Sequence, residues 1–143
     1  MLGRKDYTPE EFEAATAAIK AQLDAYKKLA KTINATSDPK AKAALEAFEP
    51  LFFNNMVLVL DRMFVHRVRA VTGKDGNPLN EVELLTESVM ANGSVLRGNN
   101  VIKFVPADSV LQLEVGDRIM LNAAQFDVLA KAFLGEIRAR FLT

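Results

Sequence analysis

Asn55, Arg62, His66 and Arg69 are the residues of this chain best placed to do chemistry together, because they follow one another at intervals of seven, four and three inside one apolar stretch, Leu51 to Val71. On a helix those intervals keep side chains on a common side, with only ~20° of drift per seven residues. Such a set could line one wall of a cleft and hold an anion or a carboxylate, with His66 available for proton transfer near neutral pH. Asp61 is the other candidate. A carboxylate between Leu60 and Met63 could be desolvated and poised as an acid or base. It could equally pair with Arg62, Arg67 or Lys103. Asp61 and His66 are five apart and point away from each other on a helix, so a carboxylate that orients His66 must come from elsewhere.

The competing reading of these residues is structural. Polar side chains on a largely apolar helix mark the strip where it leaves the core, with arginines paired to glutamates of neighbouring elements and their stems covering apolar surface. That reading is preferred, and the pocket around His66 stands as the alternative.

Other residue types exclude more than they suggest. The chain has no cysteine, which removes disulfides, thiolate zinc sites, iron–sulfur clusters and a cysteine nucleophile. One histidine excludes a two-histidine metal site within the chain and the paired Glu-x-x-His motifs of a di-iron bundle. GKDGNP at 73–78 lacks the GK[ST] ending of a phosphate loop and the ligand series of a calcium loop, and reads as a turn. Ser37, Ser94 and Ser109 have no G-x-S-x-G context. No catalytic constellation, metal or cofactor is expected. Lysine plus arginine equals aspartate plus glutamate at 18 each. With no global field, binding to nucleic acid or an anionic membrane is not expected. The local group Arg62, Arg67 and Arg69 leaves weak nucleic-acid binding as a second alternative.

The elements that must position these residues follow from period and punctuation. Thr8, Pro9 and Glu11 announce a helix, and Phe12, Thr16, Ile19, Leu23, Tyr26, Ala30 and Ile33 form its packing seam. Lys20, Asp24, Lys27, Lys28 and Lys31 take the wet side. Asn34 to Ser37 break this helix and Asp38-Pro39 starts a central one, kinked or broken at Pro50 and ending near Thr72 and Gly73. A third, short helix is capped by Asn80, buries Val82, Leu85 and Val89, and stops at Asn92-Gly93. Between about 94 and 121, β-prone runs (Val101 to Val105, Val110 to Val115, Ile119 to Leu121) separated by turn formers predict a small antiparallel sheet. A final helix opens on Asn122 and Gln125 and presents Phe126, Leu129, Phe133, Ile137 and Phe141 as one stripe.

The expected architecture is thus a predominantly helical α+β fold in a single domain, 1–143. Its length suffices for a sizeable core without staples. The first residues turn charged at once, and the longest unbroken apolar piece of the central segment is Met56 to Leu60, short of the ~20 residues that cross a bilayer. A soluble cytoplasmic protein is expected, with no membrane partner. The apolar helix faces exceed what a small sheet can cover, so the expected role is a non-catalytic, self-associating binding or accessory module, a homodimer.

Overall fold

In the computed structural model, which describes residues 3–142, helix α1 spans Pro9–Asn34 and begins as its sequence dictates. Thr8 Oγ1 accepts from Glu11 N at 3.1 Å and Pro9 fills the first turn. Phe12, Ala15, Ile19, Leu23 and Tyr26 are buried on one side, while Lys20, Asp24, Lys27, Lys28 and Lys31 face solvent. A four-residue connection leads to α2, Pro39–Met63, capped by the Asp38 carboxylate on Lys40 N at 2.9 Å. Helix α2 runs unbroken through Pro50. The proline costs the carbonyl of Glu46 its N–H partner, and Glu46 is exposed, so water can replace the lost bond.

The central helix ends nine residues before Thr72. Phe64 leaves helical geometry and His66 sits at φ 63°, the left-handed region where a helix stop usually places glycine or asparagine. Two forces hold this stop. Arg67 turns back and donates to the carbonyls of Asp61 at 3.2 Å and Phe64 at 2.9 Å. The freed segment 65–68 is clamped to the N-terminal residues, with Arg4 N donating to His66 O at 2.6 Å and Val68 N to Arg4 O at 3.0 Å. A single turn, α3 at Arg69–Thr72, follows, and Gly73 at φ 70° ends it.

Helix α4 spans Pro78–Ala91 and starts earlier than expected. Asn77, not Asn80, is its cap, with Oδ1 accepting from Leu79 N at 3.0 Å, and Pro78 takes the first turn. Asn92 and Gly93 end it as read from the sequence. The last helix, α5 at Ala123–Phe141, carries the full capping box of Asn122 and Gln125, and Phe126, Leu129, Phe133, Ile137 and Phe141 are all fully buried.

The antiparallel sheet does not form, and the α+β class is replaced by an all-helical one: the described residues contain no strand. Residues 94–122 instead form an irregular strap, with one 3-10 turn at Pro106–Asp108 and a single antiparallel bridge between Val95 and Arg118. The apolar positions still divide as a strand's would. Leu96, Ile102, Ile119 and Leu121 enter the core, while Val101, Val105, Val115 and Met120 are exposed. What is missing is a ladder, because side chains meet the strap's backbone first. Asn54 Nδ2 donates to Ile119 O at 2.7 Å and Asn54 Oδ1 accepts from Leu121 N at 3.1 Å. Ser88 Oγ accepts from Arg97 N at 3.1 Å, and Asn99 Oδ1 takes the amides of Val101 and Ile102. Such bonds compete directly with strand pairing.

One core joins the helices. Helix α2 packs against α1, α4 and α5, and α5 packs also against α1, α3 and α4. At its centre Phe53 meets Phe126 and Phe64 meets Phe133, and Val57 and Leu60 are fully buried.

Candidate functional site

The five residues singled out above do not converge. Asp61 is paired: its carboxylate accepts from Arg67 at 2.7 Å, and the same guanidinium lies 5.2 Å from the centre of the Phe133 ring. This is a helix-ending clasp, with the arginine largely buried. Arg69, expected on the same helix as Arg62, lies beyond the break on α3. Its guanidinium binds both Glu83 oxygens, at 3.0 and 2.7 Å, and Asn80 Oδ1 at 2.9 Å. Asn80 in turn donates to the carbonyls of Asp75 at 2.7 Å and Gly73 at 3.1 Å, and Arg140 donates to that of Thr72 at 3.2 Å. These residues satisfy the carbonyls at the end of α3, which have no helix to continue into.

That leaves three. His66 is exposed and, because the helix stops at Met63, is not one turn beyond Arg62 as helical spacing required. It borders a shallow cleft of about 260 Å³ with Asp61, Arg62, Val65, Arg67 and Glu83. Within that cleft Glu83 and Asp61 are engaged by arginines, and Arg62 makes no ion pair among the described residues. Asn55 is exposed on α2, two turns before Arg62. Of the arginine group, then, Arg67 and Arg69 are neutralised inside the fold and Arg62 alone is free.

One feature was missed, and a second was read only as a general excess of apolar helix surface. Glu81 sits on α4 at 3% exposure, and its oxygens accept from Val110 N at 2.8 Å and Leu111 N at 3.1 Å. Burial raises its carboxyl above the usual value, and the two amide bonds only partly oppose that. It fastens the strap to α4 and borders a cleft of about 440 Å³ shared with Asp75, Lys103 and Asp108. No group of three potential metal ligands gathers there or elsewhere among the described residues. In sequence Glu81 is one of several acids at a helix start, with nothing to mark it as buried.

The second feature is the outer side of α2. Its core side is Leu45, Phe53, Met56, Val57 and Leu60. On the opposite side, at spacings of three and four, stand Ala41, Ala44, Phe48, Leu51, Asn55, Leu58 and Arg62. Leu51 is 72% exposed and Phe48 45%. Where this side meets α4, a groove of about 550 Å³ is lined by Leu58, Val59, Asp61, Arg62, Met63, Thr86 and Met90, the last 73% exposed. Across the most apolar 18 residues of α2, whose mean hydropathy of 1.3 meets the length and composition of a membrane span, only 28% are buried. The helix is therefore apolar on its outer side as well as on the side it packs into the core. Chemically the outer side offers contact surface, one amide and one free cation.

Comparison with protein families, with curated proteins and with solved structures finds no match for this chain.

Proposed function

We propose that this protein is a non-catalytic module that works by self-association, with the outer side of α2 receiving a second copy of the chain. The exposed apolar strip centred on Leu51 carries the reading. Burying one leucine is worth roughly 1.5–3 kcal/mol, and the strip adds Phe48, Leu58, Met63 and Met90 to it. A surface of that kind, rimmed by Asn55 and Arg62, is the usual mark of an interaction site. Two of the polar residues suited to catalysis are spent on the fold, Asp61 on Arg67 and Arg69 on Glu83 and Asn80.

Sedimentation velocity across a hundredfold range of concentration tests this, with Leu51→Glu as the variant. The wild-type chain should shift toward a dimer as concentration rises. Leu51→Glu should stay monomeric with an unchanged melting temperature, since Leu51 contributes little to the core. A wild-type monomer at the highest concentration overturns the proposal.

One observation favours a second reading, a small anionic ligand at His66. The chain's only histidine is held in left-handed geometry at the mouth of a cleft beside an unpaired arginine, and non-glycine residues kept there cluster at functional sites. Phosphate and small carboxylates should then raise the melting temperature of the wild type and not of Arg62→Gln. No shift with any of them removes this reading.

A further inference from the structure

The heptad spacing of the outer side of α2 says more than that the surface is sticky. Ala41, Phe48, Asn55 and Arg62 fall at one core position of a two-helix coiled coil, and Ala44, Leu51 and Leu58 at the other. Pro50 occupies a position that points away from the seam. Accepting the self-association reading above, on which this step rests, we propose that two chains pair α2 against α2 in antiparallel orientation, with Asn55 setting the register.

Charge decides the orientation. In a parallel pair, residues at the first core position meet their own copies, so Arg62 faces Arg62 across the seam. Neither arginine has an acid to spare, since Asp61 is held by Arg67 and Glu83 by Arg69. In an antiparallel pair each residue of the first class meets one of the second. Three registers keep that rule. One sets Asn55 against Leu58 of the second copy and leaves Phe48 and Ala44 uncovered. Another sets Asn55 against Ala44 and Phe48 against Leu51 and leaves Arg62 beyond the start of the second helix. The last sets Asn55 against Leu51, Phe48 against Leu58 and Arg62 against Ala44, and so uses both ends of the seam. Ala44 is small enough to let the Arg62 stem lie along the seam, with its guanidinium one turn from the Phe48 ring, a favourable partner for it.

In this last register the two-fold axis passes near residue 53. The two Asn55 side chains then lie about 6 Å apart along the axis, at 1.5 Å per residue, within reach of an amide–amide hydrogen bond. The register that sets Asn55 against Ala44 separates the two amides by about 17 Å and buries each without a partner, which is costly; the register that sets Asn55 against Leu58 brings them to about 4–5 Å but gives up Phe48 and Ala44. A single asparagine at this kind of position is a known means of fixing register and oligomer state.

The seam from Ala44 to Arg62 is about 28 Å long and roughly one helix diameter, ~10 Å, wide. Its footprint of ~300 Å² per chain, widened by Met63 and Met90, falls short of the ~800 Å² per partner of a standard stable interface. The dimer is accordingly reversible, with a dissociation constant in the micromolar range or weaker.

The absence of native cysteine makes the test clean. Full-length Ala44→Cys and Arg62→Cys chains, each checked for an unchanged melting temperature, are oxidised alone and mixed, with Lys20→Cys on α1 as a control. The mixture should give a disulfide-linked dimer at least tenfold faster than either variant alone or than the control. Self-crosslinking of each variant at the rate of the mixture overturns the antiparallel orientation. A dimer in sedimentation with no crosslinking above the control overturns the seam and leaves self-association standing. A monomer at every concentration overturns both, as does a chain that stays monomeric and binds phospholipid vesicles through Leu51. Asn55→Leu provides the second readout: the dimer should tighten, and the preference of Ala44→Cys for Arg62→Cys over its own copy should fall.

Discussion

Glu81 is the side chain on which the strap most depends, and its replacement gives the sharpest check on how the strap is held. Glu81→Ala leaves the amides of Val110 and Leu111 without their acceptor. A buried donor left unpaired costs about 1–3 kcal/mol. Two such donors would cost more, but the neighbouring cleft of about 440 Å³ reaches Val110 and lets water take up part of the loss. The removal of a desolvated carboxylate offsets a further part. The net expected loss is about 2–4 kcal/mol. Glu81→Gln keeps an acceptor for one of the two amides, which bind different oxygens of the carboxylate, and should cost less than Glu81→Ala, about 1–2 kcal/mol. The two variants also differ from wild type in pH dependence. Burial raises the folded carboxyl above its ordinary 4.5, so the folded chain holds this proton to higher pH than the unfolded chain does. Stability from this group is therefore greatest below 4.5, falls as pH rises from 4.5 into the raised folded value, and is level above it. Urea unfolding of wild type and Glu81→Gln at a series of pH values isolates this contribution as the difference between the two curves. That difference should shift in favour of Gln as pH rises through the window. A Glu81→Ala loss under about 1 kcal/mol would mean that the carboxylate does not hold the strap, and a pH-independent difference would mean that it is not desolvated when folded.

Three further outcomes follow from the packing. Leu60→Ala, at a fully buried site on the inner side of α2, should cost about 2–5 kcal/mol in a thermal or urea melt; a loss below about 1 kcal/mol would misplace the core. Asn54→Ala should cost about 1–3 kcal/mol and raise hydrogen exchange at the Leu121 amide, since its two bonds to the strap are lost together. Arg67→Lys keeps the charge but not the fork that reaches Asp61 and the carbonyls of Asp61 and Phe64, and should lower stability by about 1–2 kcal/mol.

The sequence announces helices wherever a cap and a period coincide. Thr8 with Pro9, Asp38 with Pro39 and Asn122 with Gln125 each place a start correctly, and the stripes of α1 and α5 are buried as their spacing requires. It fails where an ending or a connection is decided at a distance. Nothing local stops α2 at Met63: His66 takes the place of a terminal glycine, and the stop depends on Arg67 folding back and on Arg4 arriving from the N-terminal residues. The strap fails for a related reason. Its alternation of buried and exposed residues is that of strands, but a strand also needs a partner backbone, and Asn54, Glu81 and Ser88 on two helices take the hydrogen bonds first. The same long-range bonds carried Arg69 away from the group, because spacing along one continuous helix was the only reason to join it to Arg62 and His66, which border one cleft with Asp61.

The outer side of α2 was legible as spacing but not as exposure, and the contrast with α1 shows why the exposure carries weight. A helix in a monomer needs one apolar stripe of about 100°. Helix α1 obeys that limit, and its far side carries lysines and an aspartate. Helix α2 has its stripe in Leu45, Phe53, Met56, Val57 and Leu60 and then repeats the investment on the far side with Phe48, Leu51 and Leu58. Helix α1 exposes one large apolar residue, Leu29, among these charges, whereas α2 sets Phe48, Leu51 and Leu58 in line. The far side of α2 is also ordered by size: alanines at 41 and 44, bulk at 48, 51 and 58, and the one long cation at 62. In a helix reversed upon itself, small residues at one end meet the large charged residue at the other, and the middle is left to leucine, phenylalanine and a self-pairing amide. A lipid surface has no use for that gradient, since it would reward uniform bulk; a second α2 does.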